Sequence, residues 1–169
     1  MNSVKADNGA SLLEVEDLAV EFDTYGGIVQ AVRGVSFSVE EGKTLAIVGE
    51  SGCGKSVTVQ SMMGLIPMPP GRITSGSAKL KGQEILGRTV VNGKEIRGSE
   101  IGMIFQDPMT SLNPTMTIGD QIAEPLQVHR GYSYKKAFNE AIRLLEMSKI
   151  PEAAKRARQY PFEFSGGML

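Results

Sequence analysis

The sequence predicts an α/β chain: a strand, a glycine loop and a helix at its centre, an antiparallel β layer before them, helices after. Three observations carry that reading. Residues 12–39 alternate apolar and polar side chains, the period of half-buried strands. Residues 49–56 follow a G-x-x-x-x-G-K-S pattern set between an apolar run and a helical stretch. Beyond Pro114 the apolar spacing lengthens to three and four residues, the period of a helix face.

Residues 1–11 lack the basic-then-apolar order of a secretion signal and are expected to form a flexible tail. From Leu12 to Phe22, apolar and acidic residues alternate in two phases. Leu13 and Val15 point one way, and Leu18, Val20 and Phe22 resume after a slip at Asp17, which predicts a bulged strand or two short ones. Asp23 to Gly27 supply a turn, and Val29 to Val39 a second strand with Val35, Phe37 and Val39 on one face. Glu40 to Lys43 turn the chain again. Thr44-Leu45-Ala46-Ile47-Val48 is a short apolar run between glycines, as a buried strand would be. Residues 56–65 are expected to be helical, stopped by Pro67.

Pro67, Pro69 and Pro70 make a rigid connection. Residues 72–100 are punctuated by glycine, with short strands expected around 77–81 and at Val90 and Val91. Residues 101–105 read as another buried strand, ending at Gln106-Asp107-Pro108. Ile118, Ile122 and Leu126 mark a helix that Pro125 is expected to limit. Ser133 is placed to cap an amphipathic helix through Met147, with Ala137, Phe138, Ala141, Ile142, Leu144 and Leu145 as its apolar stripe. Pro151 opens a further helix to about Tyr160, and the chain closes on Phe164-Ser165-Gly166-Gly167-Met168-Leu169.

Bulk properties narrow the classes. A chain of 169 residues has room for one core, or for one core and a small subdomain. A net charge of −1 gives no footprint for nucleic acid. No apolar stretch reaches the length of a membrane span. Cys53 is the only cysteine, so no disulfide forms within the chain and a reduced compartment fits best. His129, the only histidine, reads as a solvated or capping residue near a helix end.

The loop carries the chemistry. Gly49, Glu50, Ser51, Gly52, Cys53, Gly54, Lys55 and Ser56 can turn backbone N–H groups inward around phosphate oxygens. In such loops the Lys, here Lys55, reaches the outer phosphates, and the Ser hydroxyl, here Ser56, holds Mg²⁺. The pattern alone is short enough to occur by chance. Its place after an apolar run and before a helix is what the motif requires, and it sets the phosphates at a helix N-terminus.

Four features stand in a fixed order: Tyr25 in a turn, the loop, Gln106, and Phe164-Ser165-Gly166-Gly167-Met168. This order resembles the ATP-binding cassette of ABC transporters over roughly residues 12–169. It is most similar to the ATPase subunits of oligopeptide, dipeptide and nickel importers, on three segments. These are Gly64-Leu65-Ile66-Pro67 with Pro70-Gly71-Arg72-Ile73, Phe105-Gln106-Asp107-Pro108-Met109-Thr110-Ser111-Leu112-Asn113-Pro114, and Tyr160-Pro161-Phe162-Glu163-Phe164 leading into the serine and glycines.

The resemblance implies roles. Tyr25 would stack on adenine, an aromatic face being a tolerant platform for a base. Gln106 would reach Mg²⁺ and the attacking water through its neutral amide. Ser165, Gly166 and Gly167 match the family's signature, with Phe164 and Met168 in place of its usual Leu and Gln. In trans, they would contact ATP held by a second ATPase subunit. The implied fold is a P-loop NTPase, RecA-like ABC ATPase core with an N-terminal antiparallel β layer and a helical subdomain. The implied division is a tail over 1–11, a nucleotide-binding core over 12–115 and a helical subdomain over 116–169.

The resemblance further implies ATP and Mg²⁺ as ligands, transmembrane permease subunits as partners and an extracellular substrate-binding protein as an indirect one. The expected place is the cytoplasmic face of the membrane. In that family the strand with the Mg²⁺-linked Asp and the catalytic Glu follows the signature, and a switch histidine comes later. The 169 residues are therefore expected to be a fragment truncated before the Walker B strand. Negligible hydrolysis of its own is expected, and an incomplete sheet around Leu45, Ile47 and Val48. Two other readings stand beside this one: a non-catalytic nucleotide-binding module, and a soluble cassette protein outside transport.

Overall fold

The alternation over residues 12–39 becomes a long β-hairpin, β1 (Ser11–Thr24) and β2 (Gly27–Glu40), in a computed structural model that describes residues 11–88, 90–91 and 94–169. Residues 1–10 of the expected tail lie outside the described residues, whereas Ser11 already opens β1, opposite Glu40. Tyr25 and Gly26 form the hairpin turn, closed by Thr24 Oγ1 donating to the Gly27 carbonyl at 2.7 Å.

The slip at Asp17 is a β-bulge. Register jumps between Val15 opposite Phe37 and Leu18 opposite Val35, and Asp17 takes a positive φ of 43°. Its backbone N–H donates to Ser36 Oγ at 2.9 Å, and its carbonyl accepts from Ser75 Oγ at 3.0 Å. Strand β3 (Gly71–Leu80) lies on the other side of β1, and its partner pairs skip Gly76 at the same level. Gly76 has φ 103°, and a Cβ there would lie 2.5 Å from the Leu18 Cα. The bulge shifts the alternation by one residue, so Val15, Leu18 and Val20 all enter the core, each 2 % exposed or less.

β3 starts well before the 77–81 segment expected of it, because β1 offers it a full ladder edge that a local reading of its glycine-broken sequence does not show. Arg72 on β3 donates to Glu21 on β1 at 2.9 Å. A two-residue strand, β4 (Gln83–Glu84), completes the order β2-β1-β3-β4, all antiparallel. Strands β5 (Val90–Val91) and β6 (Lys94–Glu95) pair separately.

Residues 44–48 do not form the expected strand. Leu45, Ile47 and Val48 are 43 %, 41 % and 88 % exposed. Residues 102–105 likewise form no strand, with Ile104 98 % exposed. A strand exists only through its ladder partners, and neither run has one among the described residues.

Helix α1 (Lys55–Met62) packs on β1 and β2 through a face that includes Ser61 and Met62. It ends sooner than expected. Gly64 turns left-handed at φ 62° and Leu65 N–H closes back on the Gln60 carbonyl at 2.9 Å, so the glycine stops the helix ahead of Pro67.

The described chain divides into two compact units, Met1–Arg97 and Gly98–Leu169, a division that falls before the expected 115/116 boundary. The second unit is helical: α2 (Pro108–Ser111), α3 (Ile118–Arg130), α4 (Tyr134–Met147), α5 (Ala153–Arg156) and a 3₁₀ turn over Pro161–Glu163. Pro125 does not limit α3. It forfeits one backbone hydrogen bond, while both ends of the helix are well closed. Thr117 Oγ1 accepts from Asp120 N–H at 3.2 Å, and Gly131, left-handed, caps the far end on Gln127.

Ser133 caps α4 as expected, accepting from Lys136 N–H. Ala123, Ala137 and Ala141, all fully buried, let α3 and α4 approach closely, and Phe138 and Leu145 join Ile118, Ala153 and Ala157 in the core. The helix expected from Pro151 to Tyr160 shortens to α5, because Pro151 and Glu152 form a turn with Glu152 at φ 52°.

Gly76→Ala should destabilise the protein by about 2 kcal/mol or more, since it combines a disfavoured φ with an overlap against backbone. Urea unfolding measures this. A midpoint equal to that of the unaltered protein would show that the bulge does not depend on this glycine.

Candidate glycine-loop site

The glycine loop over residues 49–56 joins the exposed 44–48 run to α1 and belongs to the first unit. Its curvature comes from glycines that cannot be replaced at no cost. Gly52 has φ 80° and Gly54 φ 91°, a region that side chains strongly disfavour. A Cβ on Gly54 would sit 2.3 Å from the Ala31 carbonyl of β2, and one on Gly49 would sit 2.7 Å from Cys53 Sγ. The loop is thus pressed on the hairpin at one point and folded on itself at another.

Lys55 is the first residue of α1, and its ammonium turns back into the loop. Nζ donates to the Gly49 carbonyl at 2.8 Å and to the Glu50 carbonyl at 2.6 Å, and lies 3.5 Å from Cys53 Sγ. Gly54 occupies the N-cap position and brings no side-chain acceptor, and the first turn of α1 holds no acidic residue. The helix therefore presents its first N–H groups and the positive end of its dipole beside a fixed ammonium, an arrangement suited to a polyanion. Ser56 follows in the first turn, where its hydroxyl can take one position on a hard cation. No cluster of three or more His, Cys, Asp or Glu side chains able to hold a metal occurs among the described residues. A hydroxyl oxygen such as that of Ser56, with phosphate and water oxygens, suits a hard cation such as Mg²⁺.

Two residues that hold the loop carry no motif signal. Thr58 is 5 % exposed; both its N–H (2.8 Å) and its hydroxyl (2.9 Å) donate to the Gly54 carbonyl and lock the loop to the helix. Ala31 supplies the carbonyl against which Gly54 rests. The one available clue is its small size among larger neighbours in β2.

Tyr25 stands fully exposed at the tip of the β1–β2 hairpin. The four steps of β2 from Gly27 to Ala31 span about 13 Å at about 3.3 Å per residue. The turn that opens β2 therefore carries the aromatic ring, and β2 itself carries the loop's buttress further along. Gln106 and the serine–glycine segment belong to the second unit. Gln106 lies exposed in a bend just before α2, and Ser165, Gly166 and Gly167 form an exposed turn closed by Met168 N–H on the Ser165 carbonyl at 2.9 Å. Among the described residues that segment is a turn.

A glycine loop braced by a hairpin and feeding a helix N-terminus defines the phosphate-loop class of α/β proteins. The sequence model described as ABC transporter matches residues 32–169, and the chain belongs to that family. It is 56 % identical over 157 residues to the oligopeptide transport ATP-binding protein OppD of Bacillus subtilis, covering 93 % of this chain and 44 % of that protein. It is 52 % identical over 157 residues to the dipeptide transport ATP-binding protein DppD of the same organism, covering 93 % and 47 %. The chain thus spans a little under half the length of these relatives. Among solved structures, the dimeric post-hydrolysis state of the ATP-binding cassette MJ0796 bound to ADP and Pi superposes with a TM-score of 0.72. That match covers 92 % of this chain and 64 % of that one at 21 % identity, a likeness of fold. The fold is that of an ABC ATPase cassette.

Gly54→Ala should weaken ATP binding at least tenfold, because the loop cannot keep its shape with a methyl group driven into the Ala31 carbonyl. Calorimetric titration with MgATP checks this, and an unchanged affinity would separate the loop's shape from any role in binding.

Proposed function

We propose that this chain is the nucleotide-gripping part of an ATP-binding subunit that energises a peptide importer. The observation that carries the reading is the Lys55 ammonium fixed within the curl of residues 49–56, at an uncapped helix N-terminus. Identity above 50 % to oligopeptide and dipeptide transport proteins supports peptides over nickel as the cargo class.

In this reading the N–H groups of Glu50, Ser51, Gly52, Cys53 and Gly54, with those opening α1, bind the β- and γ-phosphate oxygens. Lys55 balances their charge. Bound through Ser56 and Gln106, Mg²⁺ would neutralise charge that builds on the phosphate oxygens. Tyr25 gives the adenine an aromatic surface at the hairpin tip. Gln106 orients the attacking water through its side-chain amide. Ser165, Gly166 and Gly167 offer a hydroxyl and bare N–H groups to ATP bound on a second ATPase subunit. Docking on transmembrane permease subunits places the protein at the cytoplasmic face of the membrane, where a substrate-binding protein on the far side delivers cargo. No helix among the described residues is long and apolar enough to cross a membrane.

The test is ATP turnover by the assembled transporter with and without Lys55→Ala. Loss of the ammonium should lower turnover at least a hundredfold, as expected for a group that stabilises charge on a transferring phosphoryl group. Turnover that survives the substitution would overturn the assignment of the loop. ATP binding and turnover measured on one preparation also separate this reading from a non-catalytic nucleotide module.

A further inference from the structure

The segment that leads into the Ser165 turn is held by a polar relay that the assignments above leave unused. Gln159 sits at its centre. Its Oε1 accepts from Arg156 Nη1 at 2.8 Å, and its Nε2 donates to Glu163 Oε1 at 3.3 Å. The second carboxylate oxygen of Glu163 accepts the Tyr160 backbone N–H at 2.8 Å, closing the 3₁₀ turn Pro161–Glu163 from its start. The backbone carbonyl of Gln159 is also occupied, accepting Ile118 N–H at 2.9 Å at the start of α3. One residue thus ties the end of α5, the start of α3 and the 3₁₀ turn together.

The relay reaches the residue before Ser165 by two routes. Phe164 N–H donates to the Pro161 carbonyl at 3.1 Å, so its backbone follows the 3₁₀ turn. Its ring packs on the core of Ile118, Phe138 and Leu145, and the Arg156 guanidinium lies 5.9 Å from the ring centroid. Arg156 Nε is buried without an acceptor among the described residues, so the Gln159 amide is the polar group that aims this guanidinium. Between Phe164 and Leu169, which packs on the same core, the turn itself is open: a Cβ added to Gly166 or Gly167 would meet nothing within 4 Å. The direction in which Ser165 and the glycines leave the fold is therefore set on the incoming side at Phe164, with Leu169 returning the chain to the same core.

We propose that Gln159, with Arg156 and Glu163, is a positioning residue that aims the Ser165-Gly166-Gly167 turn at the phosphates of a nucleotide held by a second subunit. The inference rests on the function proposed above. Orientation of a group in the closed state affects turnover far more than it affects ATP binding at the Lys55 loop, and a displacement of about 1 Å can cost about a hundredfold in rate. Gln159→Ala cuts the relay at its centre, whereas Glu163→Gln keeps an oxygen for the Tyr160 N–H and loses only the acceptor for Gln159 Nε2.

The experiment measures kcat, equilibrium affinity for ATP and melting temperature in the assembled transporter for the parent, Gln159→Ala, Gln159→Leu and Glu163→Gln. The expected result is a fall in kcat of roughly ten- to a hundredfold for both Gln159 variants. Affinity should stay within about twofold and melting should be nearly unchanged, and Glu163→Gln, which loses one of its two acceptor oxygens, should lower kcat less than Gln159→Ala does. Turnover of Gln159→Ala equal to that of the parent overturns the inference while leaving the loop's function standing. A joint fall of melting temperature, affinity and kcat overturns it as well, since that marks a structural role. A parent protein that binds no ATP overturns the function proposed for the loop, and this inference with it.

Discussion

The structure of the first unit turns on the contact between Gly54 and the Ala31 carbonyl. At that point the loop has no room for a side chain, and its backbone adopts a conformation that side chains resist. The contact fixes the loop against β2, and Thr58 fixes it against the helix by closing two hydrogen bonds on the same Gly54 residue. Between these restraints, the carbonyls of Gly49 and Glu50 hold the Lys55 ammonium. A charged group at the end of a flexible side chain becomes a fixed one. Such preorganisation is what makes a cation effective toward a polyanion, because little reorganisation remains when the ligand arrives.

A buttress is only as good as the sheet behind it. The bulge at Asp17 would ordinarily be a weak point, yet it is stitched by Ser36 on one side and Ser75 on the other, with Gly76 making room. Its consequence is a change of phase that sends Val15, Leu18 and Val20 of β1 to the same core. The second unit uses the same economy of space differently. Small residues bring α3 and α4 together, and Gly119 lies so close to Phe138 and the Ala157 carbonyl that a Cβ would not fit.

Much of this was legible in the amino-acid order, wherever the signal is local. The two-phase alternation located the bulge at Asp17, Ser133 announced the start of α4, and the glycine-lysine-serine spacing located the loop. What was not legible depends on partners distant in sequence. The 44–48 and 101–105 runs have the composition of buried strands, but composition cannot supply a ladder, and Leu45, Ile47, Val48, Ile104 and Phe105 lie exposed. The length of β3 was missed for the converse reason: a glycine-broken segment became a strand because β1 offered an edge. Pro125 and Gly64 show how position outweighs residue type, since the proline is carried inside a well-capped helix while the glycine ends another. Thr58, Ala31 and Gln159 leave no signal in the sequence because they act through individual contacts, with no pattern around them.

The central claim is that backbone N–H groups of residues 50–56 grip the phosphates of ATP. Amide hydrogen exchange with and without MgATP, read at single-residue resolution, tests it most directly. The account predicts that added nucleotide slows exchange at these amides and at the first turn of α1, while the bulged hairpin around Asp17 keeps its rates. Saturating ATP that leaves the loop amides exchanging as fast as before would contradict it.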